Sequence, residues 1–388
     1  MKSKSLKDRL SQDTLSQDKI NASMILGSYL DTLGYYNGTW EFNYNTPIKT
    51  LQEAMLINYE ILHKFHAMGG FSIDVKRWYA SDDTIMMIAT MKACLLGGKI
   101  EHFMKCYLDI LPLLEEKRRA SGITTLNSLN ILDKTRDVNK IIYSSTMGGN
   151  GAAMRTNYIG IHFKDIDKII EVSILSSRLT HNYPLGFLGG MVTALFTRYA
   201  LNNIEPWKWC DMLLELNNNK TIDNIVKKMP IYSKYIKDKD EFWDIWYRYK
   251  EFRLSKFELK GKEFMFGSER FADLISTIYD TKDYSNIKFN RMGGCGASAT
   301  LIAYDSILMS IINKVDGEME LNLEDDSSYY YNWESMVVHS TLHFGDNDTI
   351  GAITGCWFGA LQGFNNINMN TILEQLEFKK EYIECLKL

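Results

Sequence analysis

Apolar residues along this chain recur at helical rather than alternating spacing, and only five prolines punctuate the long apolar stretches. Both features predict a mostly α-helical fold in which strands are minor. The helical period is clearest over 82–96, 168–177, 186–201, 300–312 and 349–364, several of which are rich in Gly and Ala. Small residues let helix axes approach closely, so a compact bundle is expected. Asn, Asp and Ser concentrate at 217–220 and 316–331, which predicts loops there. No fixed-period repeat and no long linker divides the sequence, so one domain over 21–388 is expected behind a polar tail over 1–20.

Composition removes several classes of function. With 388 residues, 45% of them hydrophobic, the chain can bury a large core. Its 44 Lys and Arg against 48 Asp and Glu give a net charge of −4, which leaves no basic surface to collect a nucleic-acid polymer by counterion release. No uninterrupted apolar run approaches the roughly 20 residues that cross a bilayer, and 1–19 carries no apolar stretch of signal-peptide type. The six cysteines, Cys94, Cys106, Cys210, Cys295, Cys356 and Cys385, are scattered without a CxxC pair, which argues against both a zinc site and a disulfide framework. These readings predict a cytoplasmic protein with no membrane association, expected to act as a monomer.

Two acidic clusters carry candidate chemistry. Ser81-Asp82-Asp83-Thr84 stands just before the apolar run 85–89, in the first turn of a helix, where Ser81 is a natural N-cap and carboxylates favour the positive end of the dipole. Read alone, that is an ordinary helix start. Gly345-Asp346-Asn347-Asp348-Thr349 likewise opens the small-residue helix 350–357, and apolar residues on both sides point to partial burial. Unpaired buried carboxylates are costly, so something positive should sit between them. The Asp-x-Asp-Thr segment lacks the spacing and the closing Glu of an EF-hand. Hard oxygen donors without nearby Cys or ligand-spaced His favour Mg²⁺ or Mn²⁺ over zinc. If the clusters meet in space, four carboxylates and two hydroxyls suffice for two divalent ions about 3.5–4 Å apart. Spacing along the chain does not itself bring them together.

The segments between the clusters add a resemblance. Met24-Ile25-Leu26-Gly27 followed by Asp31-Thr32-Leu33-Gly34-Tyr35-Tyr36-Asn37-Gly38-Thr39-Trp40-Glu41-Phe42 resembles the opening of the ADP-ribosylglycohydrolase family, and within it the ADP-ribosylarginine hydrolase branch. Five further blocks resemble that branch in the same order: Ser81 to Thr84; Gly149-Asn150-Gly151-Ala152-Ala153-Met154-Arg155; Ser177-Arg178-Leu179-Thr180-His181 with Pro184; Ile302-Ala303-Tyr304-Asp305; and Gly345-Asp346-x-Asp348-Thr349 with Gly355-Cys356-Trp357. Together they span 24–364. The resemblance implies an all-α, compact single-domain helical bundle of the ADP-ribosylglycohydrolase type, with two Mg²⁺ ions at the bottom of a cleft. Carried across position by position, Ser81, Asp82, Asp83, Asp346, Asp348 and Thr349 resemble the metal ligands, and all six hold oxygen-bearing side chains. Intact motifs distinguish the sequence from a muscle-type branch whose metal motifs are degraded.

Glu41 resembles the family's flap glutamate, and Asp82, Asp83 and Glu41 are the candidates for catalytic assistance. Without the matching run around it, Glu41 reads as a surface residue between Trp40 and Phe42. Gly149-Asn150-Gly151 resembles the turn whose backbone approaches the diphosphate, and a Gly-rich turn opening a helix does present N–H donors to an anion. His181 in its Thr-His-x-x-Pro setting resembles a substrate contact, although an isolated His beside an apolar helix is commonly a core hydrogen-bonder. Gly293-Gly294-Cys295 resembles the loop that covers the adenosine end. Two stretches depart from the family pattern. Its Thr-His-x-His-Pro reads Thr180-His181-Asn182-Tyr183-Pro184, and its Ser-Ser-Gly-His-Asp-Ala-Pro after Gly294 becomes Cys295-Gly296-Ala297-Ser298-Ala299-Thr300. These changes alter the expected substrate rim and leave the metal core untouched. The implied activity is hydrolysis of the N-glycosidic bond joining ADP-ribose to arginine on ADP-ribosylated protein substrates, releasing ADP-ribose. Hydrolysis of serine-linked ADP-ribose or O-acetyl-ADP-ribose, and ADP-ribose binding without turnover, are the rival readings.

Overall fold

In the computed structural model, which describes residues 16–42, 48–257, 267–313, 329–365 and 367–388, the apolar stretches fold as helices. Among the described residues, sheet is confined to one two-stranded ribbon. The helices that matter for the site are α1 (Gln17–Tyr35), α2 (Asp82–Leu95), α3 (Ile123–Thr135), α4 (Ile166–Arg178), α5 (Pro184–Leu201), α6 (Asp240–Arg248), α7 (Gly267–Tyr279), α8 (Gly296–Met309), α9 (Trp333–Thr341) and α10 (Asn347–Gln362). The five helices expected from the apolar period are α2, α4, α5, α8 and α10. Helices with a polar face escape an apolar-run reading: α6 buries Phe242, Trp243, Ile245 and Trp246 while Asp240, Glu241 and Asp244 stay exposed.

Four expected boundaries are corrected. The helix expected over 300–312 starts at Gly296 and stops at Met309, because Ile311–Asn313 (β1) pairs antiparallel with Tyr329–Tyr331 (β2), Ile311 opposite Tyr331. β-branched and aromatic residues fit such a pleated pair, so the apolar run continues through a change of element. That pairing removes 329–331 from the loop expected over 316–331, and 316–328 lies outside the described residues. The loop expected at 217–220 is half helix, since Trp209–Asn218 runs into it. Of the tail expected over 1–20, residues 1–15 lie outside the described ones, and α1 already begins at Gln17.

A glycine face sets the geometry that the site depends on. Gly351, Gly355 and Gly359 fall four residues apart and so share one side of α10. A Cβ at any of them would stand within 3.0 Å of the backbone of Leu30, Leu26 or Ala22 in α1. Only glycine lets the two backbones approach this closely, and the same contact at Gly34 presses the end of α1 against Asn347. The start of α10 is thereby seated beside Asp31. One contiguous apolar core runs beneath these helices, with α5 buried along nearly its whole length. Among the described residues, no helix is long and apolar enough to cross a membrane.

Candidate functional site

Two helix starts far apart in sequence meet at one cavity. Ser81 caps α2 by accepting a hydrogen bond from the Asp83 N–H at 3.1 Å, and its own hydroxyl donates to Asp31 Oδ1 at 2.6 Å. Asp346 caps α10, where the Thr349 N–H donates to Asp348 Oδ1 at 2.9 Å and to Asp346 Oδ1 at 3.4 Å. Asp82, Asp83, Asp346, Asp348, Thr349 and Glu41 all line a cavity of about 440 Å³. Gly149, Asn150, Gly151, His181 and Gly294 line it too. A larger surface groove of about 920 Å³ lies elsewhere, with Asp211 and Lys250 in its wall already paired at 2.6 Å, and it gathers no buried polar cluster of this kind.

The acids of this cavity resist ionisation. Burial, and then the nearby Asp348, push Asp31 and Asp82 up to about 7, against hydrogen bonds from Ser81 and Thr84 to Asp31 and from the Gly122 N–H to Asp82. The same two causes push Glu41 to about 11. Asp83 and Asp346 lie well above the usual carboxylate range, burial first and Asp348 next. A hydrogen bond between Asp346 and Asp348 favours the protonated form of the former and the charged form of the latter. Asp83 is 2% exposed, and its Oδ2 has no hydrogen-bond partner at all. A buried carboxylate oxygen without a partner is expensive, and a divalent cation is the group that would both satisfy it and relieve its neighbours. Every donor here is oxygen, which suits Mg²⁺ or Mn²⁺. Among the described residues, no three carboxylate, imidazole or thiol groups stand in a preformed ligand arrangement. The acids share a cavity rather than a closed coordination shell, so any ion would draw them inward.

The glycine turn is held from behind. His181 is 3% exposed, with Nδ1 in a 2.8 Å hydrogen bond to Thr180 Oγ1, and burial ahead of Arg155 depresses it to about 3, so the imidazole is neutral. A Cβ on Gly151 would meet its Cε1 at 2.6 Å, and one on Gly149 its Nε2 at 3.2 Å. Glycine at both positions therefore makes room for this ring. Arg155, itself fully buried, donates to the Gly151 carbonyl and at 2.7 Å to Thr180 Oγ1, fixing turn and imidazole together. The Asn150 amide donates to Gly293 O at 2.9 Å and to Asp346 Oδ2 at 2.6 Å, so this side chain ties the turn to the acidic cluster.

Not every expected site residue faces the cavity. Ser81 is fully buried behind it, Gly293 supplies a carbonyl to Asn150 from a left-handed φ of 91°, and Cys295 caps α8 with Ser298 and bridges to Gly149. The two departures from the family pattern also fall outside the lining. Tyr183 donates to Glu241 Oε2 at 2.8 Å, and Ser298 is 3% exposed and bonded to Cys295. Sequence reasoning missed Asp31, which receives hydrogen bonds from Ser81 and Thr84. It missed Asn347, whose amide donates to the Trp40 carbonyl at 3.1 Å and so pins the Glu41 segment to the start of α10. It also missed a wall over 120–125 leading into α3, together with Phe42 and Arg291. Asp31 is the one with a signal: the single charged residue over 24–35 of α1.

Comparison with known proteins bears on the family and the fold. The sequence profile described as ADP-ribosylglycohydrolase matches residues 12–387. The chain is 32% identical to the ADP-ribosylhydrolase ARH1 of Dictyostelium discoideum over 403 residues, covering 94% of this chain and 92% of that protein. It is also 32% identical over 374 residues to protein L444 of Acanthamoeba polyphaga mimivirus, covering 91% of this chain and 66% of that protein. Among solved structures, one titled as an ADP-ribosylglycohydrolase-related protein complex shares the fold with a TM-score of 0.52 at 15% identity, covering 98% of this chain and 97% of its own.

Proposed function

Because this chain belongs to the ADP-ribosylglycohydrolase family, we propose that its acidic cavity removes ADP-ribose from modified protein side chains, arginine-linked N-glycosides first, with divalent metal as cofactor. The observation that carries the reading is the unpartnered, buried Asp83 Oδ2 among acids contributed by α2, α10 and the Glu41 segment. Asp82, Asp83, Asp346 and Asp348, with the Thr349 hydroxyl, would hold two Mg²⁺ or Mn²⁺ ions, and the Ser81 hydroxyl, now behind the lining, would join them as the ions draw the first turn of α2 inward. When bound, these would supply a Lewis acid and a template for the ribose hydroxyls and the attacking water.

The chain's own residues do the rest. The Ser81 proton is committed to Asp31, so this hydroxyl offers an oxygen lone pair and not a donor. Departure of the guanidinium nitrogen leaves positive charge on the ribose, and carboxylates fixed around the cavity stabilise it. Asp82, Asp83 and Glu41 line the space where a water would be deprotonated. The Asn150 amide is engaged with Asp346 and Gly293, so the turn would meet a diphosphate through its backbone. Support for arginine linkage is the resemblance of the 24–42 run and the five further blocks to the ADP-ribosylarginine hydrolase branch.

Incubation with ADP-ribosylarginine and with a serine-ADP-ribosylated peptide, each with and without EDTA, tests the reading. ADP-ribose release from the arginine substrate, abolished by EDTA, is the expected outcome. Release from the serine substrate alone would move the assignment to that linkage, binding without release would leave a binding protein, and release insensitive to EDTA would remove the metal.

A further inference from the structure

Two segments that line the cavity, Asp82-Asp83 and Ala120 to Thr125, are entered from residues that share one partner near the far end of the chain. Glu377 Oε2 accepts from the Ala80 N–H at 3.0 Å and from Arg119 Nη1 at 2.7 Å, and its Oε1 accepts from Arg119 Nη2 at 2.9 Å. Arg119 Nη1 also donates to the Ala80 carbonyl at 3.0 Å, so this one ion pair engages both backbone groups of Ala80. Arg119 is 1% exposed, and neither it nor Glu377 lines the cavity. From Ala80 the chain passes through Ser81 into the first turn of α2. From Arg119 it passes through Ala120, at a left-handed φ of 54°, into the start of α3. The two paths meet again where the Gly122 N–H donates to Asp82. A two-pronged guanidinium–carboxylate pair fixes direction as well as distance, so the ring closed in this way is tied at both ends.

We propose that Glu377, acting through Arg119 and Ala80, is a positioning residue that sets the spacing between the first turn of α2 and the 120–125 wall, and with it the affinity of the cavity for its divalent ions. This assignment rests on the reading of the cavity as a metal-dependent hydrolase site. Glu377 touches no ligand. It holds the backbone from which Asp82 and Asp83 are presented, and ligands whose support shifts bind their ion less tightly even when their own chemistry is intact.

The test is calorimetric titration of Mg²⁺ into the full chain and its Glu377→Gln and Glu377→Ala variants, each below its thermal midpoint, beside steady-state hydrolysis of ADP-ribosylarginine. Asp223→Asn is the control, because it breaks another buried pair, Lys239 Nζ to Asp223 Oδ2 at 2.7 Å, whose members do not line the cavity. Glu377→Gln keeps one acceptor oxygen, which can serve Ala80 or Arg119 but cannot hold both prongs, and should weaken Mg²⁺ about tenfold. Glu377→Ala should weaken it further, up to about a hundredfold, and where that variant does not fold Glu377→Gln decides alone. At fixed Mg²⁺ kcat should fall in the same order and recover as Mg²⁺ is raised. Asp223→Asn should lower the thermal midpoint and keep the Mg²⁺ affinity. Unchanged Mg²⁺ affinity in folded Glu377→Gln, or an equal loss in Asp223→Asn, would overturn the proposal and leave the pair a structural tie. Wild type that binds Mg²⁺, with the expected losses in the variants, yet releases no ADP-ribose would sink the hydrolase reading alone, and wild type that binds no Mg²⁺ would overturn both.

Discussion

Asp305 and Asp83 are both sealed from solvent, yet their surroundings are opposite. Asp305, on α8, accepts from Arg253 Nε at 2.8 Å, from Arg270 Nε at 2.6 Å and from the Tyr249 hydroxyl at 2.8 Å. Burial alone would raise it, but the two guanidinium groups outweigh that and hold it at about 2. Asp83 has acids for neighbours, an Oδ2 with no partner, and a carboxyl pushed well upward by burial and Asp348. The first carboxylate is completed by the chain itself. The second is left for something from outside, and that difference separates a structural node from a binding site even though both are buried acids.

The sharpest way to break the comparison is to remove each acid in turn. Asp305→Ala leaves Arg253 and Arg270 buried without their counter-charge and should cost about 3–5 kcal/mol, seen as a much lower thermal or denaturant midpoint. In EDTA, Asp83→Asn replaces a carboxyl that burial and Asp348 already push well upward with a neutral amide of the same shape, and should leave that midpoint unchanged or raise it. Equal losses in the two variants would show that both acids are structural. With Mg²⁺ present the gap between the two variants should narrow. A site that binds only the folded state adds about 2.7 kcal/mol when the ion stands at a hundred times its Kd. Asp83→Asn and Asp348→Asn should lose that increment together with activity, whereas the increment measured in Asp305→Asn, should it fold, should survive.

Much of this contrast can be read from the sequence, and the reasons are local. Ser81 to Thr84 and Asp346 to Thr349 are short contiguous runs at helix starts, where residue type and position already agree with capping and with oxygen ligation. That they meet depends on Gly351, Gly355 and Gly359 letting α10 lie on α1, a contact that composition hints at and only three dimensions supply. Adjacency in sequence misled at the rim. Tyr183 follows His181 by two residues, yet the cap of α5 turns it toward Glu241 and away from the cavity. Arg291 belongs to no motif, and its place in the lining comes from a turn that α10 anchors.

Asp31 sharpens the comparison from a third side, because it stands between the two cases. It has partners, Ser81 and Thr84, but no cation among them. Its contribution is to fix the Ser81 hydroxyl and the first turn of α2. Asp31→Asn keeps the shape and can still accept one hydrogen bond, so the fold should persist. Partners behind metal ligands typically contribute ten- to a hundredfold in metal affinity, and Mg²⁺ titration followed by calorimetry should show a weakening of about that order. Unchanged Mg²⁺ affinity would reduce Asp31 to a packing residue.

The smallest expected effect concerns pH, and its sign follows from which way the acids are displaced. Asp82 is raised to about 7, so in the cation-free protein it carries a proton across the range between the ordinary carboxylate value and neutrality. A group raised on folding stabilises the folded state fully below its unfolded pKa and ceases to do so as pH climbs through the folded value, near 7. An ion needs that carboxylate charged, so protons compete with metal below pH 7 and not above it. From pH 8 to pH 6 the apparent Mg²⁺ affinity should therefore fall about tenfold on account of Asp82 alone, roughly 1.4 kcal/mol. The rise in thermal midpoint on adding Mg²⁺ should shrink accordingly. His181 and His343 are both held near 3 by burial ahead of neighbouring arginines, so they stay neutral over this window in the folded protein and take no part in the competition. They do lower stability as pH drops below their unfolded value, in EDTA and in Mg²⁺ alike, so the difference between the two conditions isolates the acids. A Mg²⁺-induced shift of equal size at pH 6 and pH 8 would mean that no buried carboxylate has to release a proton when the metal binds, and the candidate ligands in the cavity would have to be sought elsewhere.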